Sequence, residues 1–126
     1  MRRAKKTFLL VEDFEDSRFM MRRLLEMAGY KVVEATDGGE AVRLAVDVRP
    51  ALILMDLSLP TMDGLEATRR IRTKRNLKHV PIIAVSAHDS PDARTEALQA
   101  GCDDYVTKPI DFERLNQLLQ QFIAGR

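Results

Sequence analysis

Short, continuous apolar runs recur along the chain and are separated by segments of helical periodicity. Five of these runs have the length of a β-strand, the last being the weakest: residues 7–11, 31–35, 51–55, 81–86 and 104–106. In the third run, Leu52, Ile53 and Leu54 follow one another with no polar residue between them. Continuous rather than alternating hydrophobicity is typical of strands buried on both faces, as in a parallel sheet covered by helices.

The intervening segments predict five helices, which cover residues 17–28, 39–48, 65–72, 91–100 and 112–123. In the first, Met20, Leu24 and Met27 recur at helical spacing and predict its buried stripe. Asp16 is the expected N-cap of this helix, and Gly29 lies just past its end. The later helices carry similar start and stop signals: Asp37 or Gly38 and Pro50 for the second, Ser90 and Gly101 for the fourth, and Asp111 for the fifth.

Strand and helix therefore alternate five times, with no linker, repeat or low-complexity segment between them. This order predicts an α/β fold of the doubly wound, flavodoxin-like (βα)5 type, with helices on both faces of a five-stranded parallel sheet. Right-handed crossovers favour the strand order 2-1-3-4-5, in which the first and third strands are neighbours. Residues 1–126 suit one domain of this kind that buries roughly two-thirds of its unfolded surface.

Composition and charge argue against several classes of function. Twenty Lys and Arg against nineteen Asp and Glu leave a net charge of +1, which offers no overall field for nucleic acid or an anionic membrane. The basic stretch at residues 69–75 falls at a helix end, where positive charge complements the helix dipole, and it contains no aromatic residue for base stacking. The first apolar run stops at Glu12 and is too short for a signal peptide or a membrane span, so a cytoplasmic protein is expected.

Chemically reactive side chains follow four of the five predicted strands. They are Glu12 and Asp13 after the first strand, Asp56 after the third, Ser86 at the end of the fourth and Lys108 after the fifth. Parallel strands end at the same edge of a sheet, and ligands of doubly wound sheets bind at that edge, where the direction of winding reverses. We therefore expect these side chains to converge there.

Three carboxylates that converge in this way need a cation or protons between them. Two carboxylates about 4 Å apart, at an effective dielectric constant near 20, repel each other by roughly 4 kcal/mol. Hard oxygen ligands of this charge select Mg²⁺ or Mn²⁺, which usually keep waters and bind through one or two carboxylates plus a phosphate. Lys108 places an ammonium beside the acids. The residues thus predict a metal-dependent site that accepts a phosphoryl group, with Asp56 as its reactive carboxylate.

Four short motifs at the strand ends carry a resemblance to a known family. They are Glu12-Asp13, Asp56 with the segment LPTMDG at 59–64, Ser86-Ala87, and GCDDYVTKP at 101–109. In this order and spacing they resemble the receiver domain of two-component response regulators, and the resemblance covers nearly the whole chain.

The resemblance implies a metal site and a phosphoacceptor. Magnesium, Mg²⁺, would be held by Glu12, Asp13 and Asp56, with the backbone carbonyl of Ser58 as a further ligand. Asp56 would accept a phosphoryl group from a histidine of a sensor histidine kinase or a histidine phosphotransfer protein, and would become an acyl phosphate. Such a protein catalyses its own phosphorylation and dephosphorylation rather than the turnover of a separate substrate.

The resemblance also implies a switch. Lys108 and the Ser86 hydroxyl would contact the phosphoryl oxygens, and Tyr105 would turn inward behind Ser86. This movement would remodel the surface made by helix 4, strand 5 and helix 5, where a downstream protein target binds.

Ser58 and His88 occupy positions that influence access of water to the acyl phosphate. Cys102 stands where the family usually has Ala, and we expect it to be a small buried packing residue.

Three other functions compete with this interpretation. A magnesium-dependent small-molecule phosphatase would need a second acid two residues after its aspartyl nucleophile, but position 58 is Ser, and 126 residues leave no room for a cap domain. A flavin or nucleotide domain would need a Gly-rich or hydroxyl-rich phosphate loop, whereas residues 12–16 are largely acidic. A receiver-like module that only binds partners would be expected to lack Asp56 or Lys108.

Because Met1 lies just before the first strand, a stand-alone receiver is expected rather than one excised from a longer chain.

Overall fold

A five-stranded parallel sheet forms the centre of the structure, a computed structural model that describes residues 5–59 and 62–124. The strands are β1 (Thr7–Val11), β2 (Lys31–Ala35), β3 (Leu52–Asp56), β4 (Ile82–Ser86) and β5 (Asp104–Thr107). Their order is β2-β1-β3-β4-β5, and every neighbouring pair is parallel. The predicted doubly wound order 2-1-3-4-5 is confirmed. Pro60 and Thr61 of the LPTMDG segment lie outside the described residues.

Helices connect successive strands on both faces of the sheet. They are α1 (Glu15–Met27), α2 (Gly38–Val48), α3 (Gly64–Arg72), α4 (Pro91–Ala100) and α5 (Phe112–Ala124), with a 3-10 turn at Arg75–Leu77. The predicted bounds of the fourth helix are confirmed, and those of the others shift by one or two residues. Within the described part of the chain, no helix combines the length and the apolar character that a membrane crossing requires.

The apolar core lies on both sides of the sheet. Successive strand residues face opposite sides, so Leu9 and Ile53 belong to one apolar cluster while Phe8 and Leu54 belong to the other. The first cluster receives Ala41, Ala45, Ala67, Ile71 and Ala97 from α2, α3 and α4, and the second receives Leu25, Leu115 and Leu119 from α1 and α5. Strands β3 and β4 are buried along their whole length, as their continuous apolar sequences predict.

The predicted buried stripe of α1 is wrong. Met20 and Met27 are 65% and 79% exposed, whereas Leu25 is buried and Met21 packs partly against the core. The sequence carries apolar residues in adjacent pairs here, so two stripes with the same helical spacing compete. The structure turns Leu25 toward the sheet, leaves Leu24 half-buried and leaves Met20 and Met27 exposed.

The predicted N-cap of α1 is also wrong. The helix begins at Glu15 after Phe14, and Asp16 lies in its first turn instead of capping it. The backbone N–H of Phe14 donates to the Glu12 carboxylate at 3.1 Å. This hydrogen bond satisfies a backbone donor just before the helix, which begins ahead of Asp16. A negative charge in the first turn still suits the positive end of the helix dipole.

The other helix starts follow the sequence signals. The side chains of Asp37, Ser90 and Asp111 accept hydrogen bonds from backbone N–H groups in the first turns of α2, α4 and α5. Gly101 ends α4 with a φ of 119°, a left-handed conformation that favours glycine. Cys102 follows it and is buried, and burial raises the pKa of its thiol, in keeping with the predicted packing role.

Candidate acidic metal site

The three acids predicted to converge do so at the carboxyl edge of the sheet. Glu12 and Asp13 follow β1, and Asp56 ends β3, the strand paired with β1. One carboxylate oxygen from each residue lies within 4.8 Å of the others. Glu12 and Asp56 are only 6% and 3% exposed, whereas Asp13 is exposed. The site therefore has two buried acids on its floor and one at its mouth.

Lys108 lies between the two buried acids. Its Nζ is 3.2 Å from Oε1 of Glu12 and 3.3 Å from Oδ2 of Asp56. The peptide bond between Lys108 and Pro109 is cis. One ammonium cannot balance three carboxylates, so the cluster keeps a net negative charge that a divalent cation would neutralise.

The pKa values of two groups respond to this crowding. Burial raises the pKa of Glu12, and hydrogen bonding with Asp56 raises it further, while the Phe14 N–H and Lys108 offset only part of the rise. Burial lowers the pKa of Lys108, but the charges of Asp56 and Glu12 raise it more, so the net shift is upward. Lys108 is therefore a stable cation at neutral pH, and Glu12 binds a proton more readily than an ordinary glutamate does.

We expect the metal-free protein to gain stability from Glu12 as the pH falls from neutrality toward the ordinary glutamate pKa of about 4.3. In that window the folded state, in which the pKa is raised, binds a proton that the unfolded chain does not, and this gain is lost as the pH rises through the folded pKa. Urea unfolding of the wild type and Glu12→Gln at several pH values measures the effect. Identical pH slopes for the two proteins would contradict it.

The loop after β3 is tied to the nucleophile candidate. Oδ1 of Asp56 accepts a hydrogen bond from the Ser58 N–H at 2.9 Å, and the Gly64 N–H donates to the Leu57 carbonyl at 3.2 Å. A Cβ on Gly64 would lie 2.4 Å from the Asp56 carbonyl oxygen and 2.8 Å from Cα of Leu57. Only glycine lets α3 start this close to the backbone of Asp56.

Gly64 is therefore a site residue whose role the sequence analysis missed. The available signal was a glycine, a poor helix former, directly after the helix cap Asp63, where no turn explains it. Ser58 is predicted to offer its carbonyl to the metal. It lies next to the cluster, because its N–H donates to the Asp56 carboxylate. Its role as a ligand stays a prediction.

Ser86 and Tyr105 meet at the neighbouring loop. Ser86 is buried at the end of β4, and its Oγ accepts a hydrogen bond from the His88 N–H at 3.1 Å. Tyr105 is buried as well, and its hydroxyl donates to the His88 carbonyl. The ring of Tyr105 therefore lies inward, with its hydroxyl turned to the protein. One loop residue thus connects the two predicted switch side chains.

The donor set fits Mg²⁺. Among the described residues, the group of His, Cys, Asp and Glu side chains close enough to share an ion consists of Glu12, Asp13 and Asp56. All three offer hard carboxylate oxygens, which suit Mg²⁺ better than soft metals. The partial exposure of the cluster leaves room for waters and for a phosphate oxygen, which Mg²⁺ commonly keeps in its coordination sphere.

A family model described as the response regulator receiver domain matches residues 8–120 of the chain. Among curated proteins, the polar-differentiation response regulator DivK of Brucella anthropi is 36% identical over 119 residues, an alignment that covers 94% of this chain and 97% of that protein. The DivK of Brucella ovis matches this chain with the same identity over the same number of residues.

Solved structures give the same family. The receiver domain of the sensor histidine kinase PA1611 from Pseudomonas aeruginosa is 41% identical with a TM-score of 0.90, and the match covers 96% of this chain and 99% of that one. That structure has a magnesium ion coordinated in its active-site cleft. The chemotaxis protein CheY4 of Vibrio cholerae is 32% identical with a TM-score of 0.89, over 94% of this chain and 99% of that one.

Proposed function

Because this chain belongs to the receiver domain family of two-component response regulators, we propose that Asp56 accepts a phosphoryl group from a phosphohistidine in a Mg²⁺-dependent reaction. The observation that carries the proposal is the position of Asp56, buried at the end of β3 beside two other acids and in contact with Lys108. The proposal treats residues 1–126 as one receiver domain. None of the relatives named above is a small-molecule phosphatase, so that alternative has no support.

Strand order favours Asp56 over the other two acids as the nucleophile. β3 lies between β1 and β4, so Asp56 is the acid on the strand next to Ser86. A phosphoryl group on Asp56 would lie beside Lys108 and one strand from Ser86, whereas one on Glu12 or Asp13 would lie a strand farther from Ser86. Only Asp56 brings the phosphoryl group to all the groups that would stabilise it.

The transfer is a displacement at phosphorus. A carboxylate oxygen of Asp56 forms the new P–O bond as the P–N bond to the donor imidazole breaks, and the bonding electron pair stays on the imidazole nitrogen. Lys108 and the Ser86 hydroxyl donate to the phosphoryl oxygens as charge shifts during transfer. Mg²⁺, held by Glu12, Asp13, Asp56 and the Ser58 carbonyl, would supply the remaining charge neutralisation when bound. Mn²⁺ has the same ligand preferences and would substitute.

Metal removal tests this function. We expect acetyl phosphate to label the protein in the presence of Mg²⁺, because a dianionic donor is otherwise repelled by three carboxylates. Chelation with EDTA is expected to stop the labelling, and excess MgCl₂ to restore it. Intact-mass spectrometry measures the labelled fraction. Equal labelling with and without EDTA would contradict metal dependence, and absence of labelling from acetyl phosphate and from a panel of histidine kinases would contradict the function itself.

An apolar groove next to the site is suited to a protein phosphodonor. It has a volume of about 280 Å³ and lies between α1 and the segment after Lys108, with Met20, Met21 and Phe112 among its lining residues. Glu12, Asp56 and Lys108 also line it, so the groove opens onto the acids. A histidine that reaches Asp56 must bring its own protein surface against this groove. We therefore assign it to the sensor histidine kinase or histidine phosphotransfer protein.

Met20 tests the docking surface. We expect Met20→Ser to slow phosphotransfer from a cognate histidine donor about tenfold, because an exposed apolar side chain at the centre of an interface contributes roughly 1–2 kcal/mol. Labelling by acetyl phosphate, which needs no docking, is expected to stay at the wild-type rate. Met27→Ser is the matched control, since Met27 is also exposed on α1 but does not line the groove. Equal effects of the two substitutions on phosphotransfer would contradict the assignment.

The opposite side of the site carries the proposed output surface. α4, β5 and α5 border a groove of about 450 Å³ that includes Arg94, Tyr105 and Leu118. Tyr105 reaches from this surface to the His88 carbonyl, and the Ser86 hydroxyl accepts from the same residue's N–H. A movement of Ser86 toward the phosphoryl group would therefore change the surroundings of Tyr105 and the groove that a downstream protein binds. A cytoplasmic location belongs to this proposal, because the kinases that supply the phosphoryl group use ATP there.

A further inference from the structure

Arg18, in the first turns of α1, contacts the backbone of both acids that follow β1. Its Nη1 lies 3.2 Å from the carbonyl oxygen of Glu12 and 3.5 Å from that of Asp13. Its Nε lies 3.4 Å from Oε2 of Glu34, near the end of β2, and the Arg18 side chain is only 18% exposed. One guanidinium thus connects the loop that carries two acids to the neighbouring strand.

This contact matters most for Asp13. The carboxylates of Glu12 and Asp56 are held directly, by Lys108 and by the backbone N–H groups of Phe14 and Ser58. Within residues 5–59 and 62–124, the Asp13 carboxylate accepts no hydrogen bond, and the residue is exposed. The direction of its carboxylate therefore depends on the backbone that Arg18 holds.

We propose that Arg18 is a positioning residue that keeps Asp13 directed at the metal position shared by the three acids. The proposal rests on the metal site of the proposed function. Groups that orient metal ligands typically change metal affinity by about 10–100-fold when they are removed. Arg18 touches the ligand residues only through their carbonyls, so its contribution is geometric and it does not bind the ion.

The charge of Arg18 would act in the opposite direction. A cation near a metal site repels the metal, so its removal would tighten binding if charge were the dominant effect. Glu34 offsets much of that charge, since it pairs with both Arg18 and Arg22. The sign of the change in Mg²⁺ affinity therefore separates positioning from simple electrostatics.

Titration with MgCl₂, followed by backbone amide NMR at neutral pH and constant ionic strength, tests the proposal without any phosphodonor. We expect Arg18→Ala to raise the Kd for Mg²⁺ about tenfold, and Arg18→Lys to fall between this variant and the wild type, because an ammonium cannot contact two carbonyls and a carboxylate in the same geometry. Arg22→Ala is the matched control. Arg22 shares Glu34 but contacts neither carbonyl, so its Kd is expected to stay within about twofold of the wild type.

Glu34→Gln provides a second variant that leaves Arg18 in place but removes its charged anchor on β2. We expect it to weaken Mg²⁺ binding less than Arg18→Ala does, and it keeps the test decisive if Arg18→Ala does not fold. Unchanged or tighter Mg²⁺ binding by Arg18→Ala would overturn the positioning role. If that variant does not fold, unchanged or tighter binding by both single variants, Arg18→Lys and Glu34→Gln, would overturn it. Equal weakening by Arg22→Ala would overturn it as well. Absence of Mg²⁺ binding by the wild type would instead overturn the metal site on which the role depends.

Discussion

Asp56→Asn is expected to abolish phosphorylation by small donors and by histidine donors alike. The amide has the shape of the carboxylate but lacks the negatively charged oxygen that must attack phosphorus. Neighbouring acids do not replace it, because Glu12 and Asp13 lie on the far side of β3 from Ser86. The variant should fold, since the substitution removes one of three crowded negative charges. Intact-mass spectrometry after incubation with acetyl phosphate and Mg²⁺ measures the result.

Asp47→Asn is the matched control for this substitution. Asp47 is an exposed aspartate on α2, outside the acid cluster, and its loss is expected to leave labelling unchanged. Thermal unfolding of the two variants checks that both are folded. Labelling of Asp56→Asn at the wild-type level would place the phosphoryl group on another residue and would contradict the assignment of the nucleophile.

Lys108→Gln is expected to slow phosphorylation by about 10²–10³-fold, the usual cost of losing one preorganised donor to the charge that develops in a transition state. Among the residues that the structure describes, Lys108 is the cation that contacts both Asp56 and Glu12. Its loss removes both the positive charge and the hydrogen bonds that it would donate to a phosphoryl oxygen. Rates at saturating MgCl₂, measured with acetyl phosphate, give the effect on the transfer step itself.

Metal affinity separates Lys108 from the metal ligands. Because Lys108 is a cation beside the acids, Lys108→Gln is expected to bind Mg²⁺ as tightly as the wild type or more tightly. Asp13→Asn, in contrast, should weaken Mg²⁺ binding and regain much of its labelling rate as MgCl₂ is increased. A Lys108→Gln variant that is rescued by high MgCl₂ would show that Lys108 acts through the metal, against the role proposed for it.

The fold was predictable because its determinants are local and repeated. Continuous apolar runs located the strands to within one residue, and the handedness of the crossovers then left one favoured strand order. The orientation of α1 was not predictable in the same way. Its adjacent apolar pairs satisfy two helical stripes, and contacts of Leu25 with the sheet, which no spacing rule contains, select between them.

The acid cluster was predictable for a topological reason. Parallel strands end at one edge, so residues far apart in sequence, such as Glu12, Asp56 and Lys108, meet there. Arg18 and Gly64 escaped prediction because they act on backbone atoms. Arg18 donates to carbonyl groups, which every residue has, so no particular partner residue appears in the sequence. Gly64 is required because it has no side chain, and the close contact that requires this is visible only in the structure.

The inward position of Tyr105 likewise depends on tertiary contacts. Its place on β5 was predicted from the sequence, but the direction of its ring is set by the His88 carbonyl on a different loop. The structure thus connects Tyr105 to Ser86 through His88, a contact that the alternation of strand residues alone does not reveal.

Chemical mapping of the modified residue tests whether Asp56 becomes an acyl phosphate. The protein is incubated with acetyl phosphate and Mg²⁺, reduced with borohydride, which converts an aspartyl phosphate to homoserine, and digested for peptide sequencing by mass spectrometry. We expect homoserine at position 56 only, and no label after treatment of the unreduced protein with hydroxylamine. Homoserine at position 13, the five-carbon alcohol 5-hydroxynorvaline at position 12, a hydroxylamine-stable phosphate on Ser86, or an alkali-stable phosphate on His88 would contradict this role.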